Sequence, residues 1–200
     1  MHSRKPFLRF AGSLAIIYMI LVIPWPGIAP IYMSGVCALG NGMLGTFTAD
    51  GRVTFETHPT KPWTCIQTLY ARDSVNAGRR EHDTRQDYLA AAVLIALTLA
   101  TPVSPRRKAL SLGIGLVLIH VFQVFRIWLG LVDAFSDEQL GLIHLAPSLK
   151  YSLSLAVLML SGSSEASYIV PFVIWILVTF RRSDWQRLGF PSAAPTPAAQ

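Results

Sequence analysis

Residues 109–132 read ALSLGIGLVLIHVFQVFRIWLGLV, and this stretch decides the kind of protein the chain forms. As a helix rising about 1.5 Å per residue, it crosses the roughly 30 Å hydrocarbon layer of a bilayer. Arg106, Arg107 and Lys108 precede it, a basic cluster of the sort that marks the cytoplasmic surface of a membrane. Composition agrees over the whole chain: 52% of the 200 residues are hydrophobic, 14% are charged, and the mean hydropathy is +0.44. An ordinary soluble domain carries about 25% charged residues, and a disordered chain needs low hydrophobicity with high net charge, so both classes are excluded. The formal net charge of +6 comes from short basic clusters between apolar runs. It is assigned to topology and anionic lipid, with no nucleic-acid partner.

Three further apolar runs flank this one. The first, Phe10 to Trp25, follows Arg4, Lys5 and Arg9 and reads as an uncleaved anchor, because Ile23-Pro24-Trp25-Pro26 offers no small-x-small cleavage site. The run from Tyr88 to Pro102 is short for a span, so its helix is expected to begin near Asp83 to Asp87, with Asp83 or Thr84 as N-cap. Pro102 and Pro105 stop it. The last lies between Leu153 and Phe180 and closes with Arg181 and Arg182. Its middle, Ser161 to Glu165, is too polar for a bilayer centre. Either that helix projects beyond the membrane, or a surface helix over about 149–160 turns into a span over about 164–180. The expectation is a mostly α, transmembrane helical bundle of about four spans, with both termini inside by the positive-inside rule. One integral membrane domain covers 1–190, and a Pro- and Ala-rich tail over 191–200 is expected to be disordered. The location that follows is the inner membrane of a bacterium, multi-pass.

The loop over about 27–85 is then periplasmic. Ile31 to Phe47 is apolar but punctuated by glycines and reads as a helix on the outer leaflet. Gly51 to Thr57 alternates Val53 and Phe55 against Arg52, Thr54 and Glu56, a strand period, and Trp63 to Tyr70 is rich in strand formers. Together they predict a small periplasmic β-hairpin. Arg79 to Arg85 reads as a solvated, charge-paired turn leading into the next span.

Candidate chemistry centres on 109–132. At about 100° per residue, His120, Gln123, Arg126 and Asp133 share one side of the helix with Gly113 and Gly130, forming an intramembrane polar stripe. Two readings stay open. The stripe lines an outward-opening site in which Arg126 holds an anion or carboxylate. Alternatively it is polar glue, with His120 and Gln123 bonding across helices and Arg126 paired with Asp133 or Glu165. Cys65 and His144 lie on the same expected side as Arg126. A thiolate, an arginine to hold developing charge and a histidine to move a proton suffice for acyl transfer.

The run PRRKALSLGIGLVLIHVFQVFR over residues 105–126 resembles the span of exosortases and archaeosortases that ends in their active-site arginine. The resemblance implies a thiol transpeptidase acting on C-terminal sorting signals, with Cys65, Arg126 and His144 as catalytic residues. Over its whole length the chain resembles small uncharacterised bacterial inner-membrane proteins with a periplasmic hairpin. The other reading, which the small size of the chain supports, is a non-enzymatic accessory or assembly protein presenting the hairpin to a protein partner in the envelope. The second reading is preferred, because no coherent catalytic motif is present. No cofactor is expected. No metal site is expected either, because the spacing of His58, Glu81, His82 and Asp83 matches no known ligand set. Cys37 and Cys65, the only cysteines, are open to three readings: two separate buried thiols, a disulfide, or a reactive thiol at Cys65.

Overall fold

The computed structural model describes residues 5–48, 50–71, 78–137, 140, 142–162 and 166–180. The expected tail over 191–200, and Glu165 and Arg181 to Arg187 with it, lie outside the described residues. The elements in chain order are α1 (Lys5–Val22), α2 (Trp25–Leu44), β1 (Gly51–Thr57), β2 (Thr64–Ala71), β3 (Gly78–Asp83), α3 (Arg85–Ala100), α4 (Pro105–Phe135), α5 (Pro147–Val157), a π-helical turn (Leu158–Gly162) and α6 (Ala166–Thr179). The protein is mostly helical, with one small three-stranded antiparallel sheet.

Two helices, α2 and α4, are long and apolar enough to cross a membrane. Only 22% and 28% of their apolar stretches are buried, so most of that surface is not covered by the rest of the protein. Of the four expected spans, α4 alone reaches full length; α3 has 16 residues and α6 has 14. Residues 25–44 form a single 20-residue helix. Pro24 and Pro26 look like breaks in the sequence, but at a helix start a missing N–H is harmless. Only Pro30 lies inside. Of the last apolar segment, α5 with the π-helical turn and α6 are described, whereas residues 163–165, where its two expected readings differ, lie outside the described residues.

Helix α3 lies among α1, α4 and α6. Alanines 90, 91, 92 and 96 are all buried there and let the neighbouring backbones approach closely. Leu94, Leu97, Ile119, Ile174 and Trp175 fill the space between the helices. Ser111 donates its hydroxyl to the Val178 carbonyl at 2.9 Å, and Trp175 Nε1 donates to Thr101 Oγ1 at 2.9 Å. These bonds satisfy polar groups that burial would otherwise penalise. The early start expected for α3 is found. Thr84 sits at the N-cap, but its hydroxyl donates to the Trp63 carbonyl, and Asp83 Oδ1 accepts the first-turn N–H of Arg85 at 2.9 Å.

The sheet is a meander in the order β1-β2-β3. It extends the expected hairpin by one strand, and the segment expected to be a solvated turn, Arg79 to Asp83, is that strand. Val53, Phe55, Cys65 and Leu69 point inward onto Met33 and Cys37 of α2 and onto Leu131 and Phe135 at the end of α4. The Asn41 side chain donates to the Phe55 carbonyl and accepts its N–H, both at 2.9 Å, and so completes the β1 edge from the helix. At Gly40 a Cβ would meet the Phe55 ring at 2.8 Å, whereas at Gly42 it would meet nothing within 4 Å. Phe55 is itself only 3% exposed and has no room to retreat. Gly40→Ala is therefore expected to cost about 1–3 kcal/mol by overpacking. Gly42→Ala should be neutral or stabilising by up to about 1 kcal/mol. Thermal unfolding of the two variants checks this, and equal midpoints would contradict it.

Candidate functional site

The polar groups of α4 meet those of the sheet at Asp87. This carboxylate stands in the first turn of α3, where the helix dipole favours negative charge. Its Oδ2 lies 2.6 Å from His82 Nε2 on β3, and its Oδ1 lies 3.5 Å from Arg126 Nη1 on α4. Gln123 Nε2 donates to the Asp87 backbone carbonyl at 2.8 Å. Asp87 and Arg126 are 3% and 4% exposed; Arg126 meets its counter-charge in Asp87, which His82 approaches more closely still. The Arg126 guanidinium also lies over the Phe122 ring, 5.9 Å from its centre.

A small void of about 40 Å³ touches Asp87 and Gln123, and two polar clefts open nearby. One, of about 250 Å³, is lined by Gln67, Arg80, His82, Gln86, Arg126 and Gly130. The other, of about 520 Å³, lies between β3, the end of α4 and α5, and brings together Arg79, Arg80, Asp133, Asp137, Lys150 and Ser154. Arg80 borders both and donates to the Gly130 carbonyl.

The predicted stripe is only partly assembled. Gln123 bonds across helices as one reading expects, but His120 is exposed and its Nδ1 lies 2.7 Å from the Leu116 carbonyl of its own helix. Arg126 pairs with Asp87 and not with Asp133, which accepts from Ser154 Oγ at 2.8 Å.

The trio Cys65, Arg126 and His144 is not joined by any hydrogen bond among the described residues. Cys65 is fully buried in β2, and His144 is exposed in the extended segment before α5. Cys65 instead has Cys37 Sγ 3.1 Å from its sulfur and His82 as its cross-strand partner. The Cys37 sulfur first, and burial second, push the Cys65 thiol up. Sequence reasoning missed His82 and Asp87 as members of the cluster. The one available signal was a carboxylate in the first turn of an apolar helix. Among the described residues no group of three or more His, Cys, Asp or Glu is placed to hold a metal ion. His58 lies 3.7 Å from Glu81, which Lys61 also reaches at 2.8 Å.

No protein-family model, curated protein or solved structure matches the chain. The arrangement around Asp87 neutralises buried charge and fastens three elements together. Its chemistry is that of a polar joint.

Proposed function

We propose that the chain is a multi-pass protein of the bacterial inner membrane that acts without catalysis, as an accessory or assembly subunit presenting its periplasmic sheet to a protein partner of the envelope. In this reading α1, α3, α4 and α6 are the four spans and both termini are cytoplasmic. The placement of the sheet supports the orientation. It packs on Leu131 and Phe135 at one end of α4, while Arg106, Arg107 and Lys108 occupy the other. Helix α2 fits the outer leaflet despite its length, because its first turn meets the start of α3 and its second half meets the sheet. Trp25 stacks on Tyr88 with ring centres 4.1 Å apart, and Cys37 touches Cys65, the cross-strand partner of His82.

The observation that carries the functional reading is the division between the two faces of the sheet. The inner face is consumed by packing and by the Asp87 cluster. The outer face presents Arg52, Glu56, Tyr70, Arg79 and Glu81, all exposed, around Ile66, which is 6% exposed. That mixture of both charges with one aromatic suits a polar protein surface better than lipid. A thiol transpeptidase is the weaker reading, since a nucleophile must meet a peptide carbonyl and Cys65 is 0% exposed.

Photo-crosslinkers placed at Tyr70 and Arg79 are expected to capture the same protein in native membranes, and a crosslinker at the inward Phe55 to capture none. Failure from both outer positions, with normal membrane levels, would count decisively against the proposal. Reporter fusions at Asp50 and Ser104 test the topology separately: a periplasmic signal at the first and a cytoplasmic one at the second are expected.

A further inference from the structure

The sulfurs of Cys37 and Cys65 lie 3.1 Å apart in an enclosed space, with the two residues 7% and 0% exposed. Met33, Val53, Phe55, Leu69, Leu131 and Phe135 surround them with hydrocarbon. An S–H···S contact is a weak bond, and among the described residues the one further acceptor of Cys65 Sγ, the Ile66 carbonyl at 3.8 Å, is distant. The two residues belong to elements that nothing else joins covalently nearby, the helix α2 and the central strand β2. They are also the only cysteines in the chain, so neither has another intramolecular partner. Closing the gap to a bonded distance takes a shift of about 1 Å, within the reach of small side-chain rotations. A three-stranded sheet with so small a core belongs to the class of structure that oxidising compartments staple.

We infer that Cys37 and Cys65 form a disulfide that fastens β2 to α2, made by exchange with a protein disulfide oxidant. This rests on the proposed periplasmic placement of the sheet. The exchange runs in two steps. One cysteine, as its thiolate, attacks the oxidant's disulfide, forming a mixed disulfide and releasing one oxidant thiolate. The second cysteine gives up its proton and attacks the bound sulfur of the first, forming the Cys37–Cys65 bond and expelling the other oxidant thiolate. Two electrons pass to the oxidant, which leaves as a dithiol after taking up the two protons. Burial of Cys65 places these steps before the sheet closes on α2, so the bond is a structural one and not a cycling redox centre.

The test uses the full chain in its native membranes, quenched in acid, unfolded in detergent, and alkylated with a maleimide polymer before and after reduction. The expected result is no added mass before reduction and two additions after it, with the unreduced chain about 2 Da lighter than the reduced one. Cys37→Ser is expected to free Cys65, giving one addition without reduction. Two additions to the unreduced wild type, with a periplasmic fusion signal at Asp50, would overturn the disulfide while leaving the topology standing. Two additions with a cytoplasmic signal at Asp50 would overturn both. A disulfide-linked dimer on a non-reducing gel would also overturn the inference.

Discussion

Asp87→Ala is expected to destabilise the protein by roughly 3–5 kcal/mol, the loss typical when one partner of a buried ion pair is removed. Arg126 is 4% exposed and Asp87 is the only acidic side chain it bonds among the described residues, so its charge would be left in an enclosed site. His82 would lose its 2.6 Å partner at the same time, releasing β3 from the start of α3. Arg126→Met in the same chain should recover most of the loss, because an apolar side chain of similar length needs no counter-charge. Thermal or denaturant unfolding in detergent measures both variants. A single-variant loss below about 1 kcal/mol would mean that solvent reaches the pair and that the cluster is not the joint described above.

Phe135→Ala is the second large expected loss, also about 3–5 kcal/mol, since the ring is fully buried and leaves a cavity. The ring stacks on Phe47 with centres 5.3 Å apart and shares a cluster with Met33, Val53, Phe55 and Leu69. None of these residues belongs to the cluster that unites α3, α4 and α6. The damage should therefore be local. Hydrogen exchange is expected to rise across β1, β2 and β3 while the amides of α3 keep their protection. Equal loss of protection in α3 would show that the sheet and the helices unfold as one unit.

What could be read from the residues follows from where the apolar signal was dense. The run over 109–132 becomes the middle of α4, and Pro102 and Pro105 separate it from α3 as expected. Val53 and Phe55 alternate against polar neighbours and form β1 with both facing inward. Strand β3 was illegible for the opposite reason. Its inward residues, Arg80 and His82, face the Gly130 carbonyl and the Asp87 carboxylate, so no apolar alternation marks it. The partner of Arg126 is not legible from its own helix: spacing there offers only Asp133, and the other expected partner, Glu165, lies outside the described residues. The true partner arrives through the packing of α3 against α4, 39 positions away in the chain. His144 shows the same limit from the other side: the residue type suited the chemistry, but the chain leaves it on the surface, with Cys65 enclosed.

The core beneath the sheet draws on helices from both sides of it in the chain, and this fixes an order of events during synthesis. Met33 and Cys37 emerge before the strands, whereas Leu131 and Phe135 follow the end of β3 by about fifty residues. At roughly 5–20 residues per second, the strands wait some 3–10 s for the second half of their support. During that interval the ring of Phe135 is not yet available to cover the strands, and their inner face is open to other molecules. The nascent sheet is therefore most vulnerable to aggregation, and its sulfurs most accessible to an oxidant, in the seconds before the end of α4 arrives.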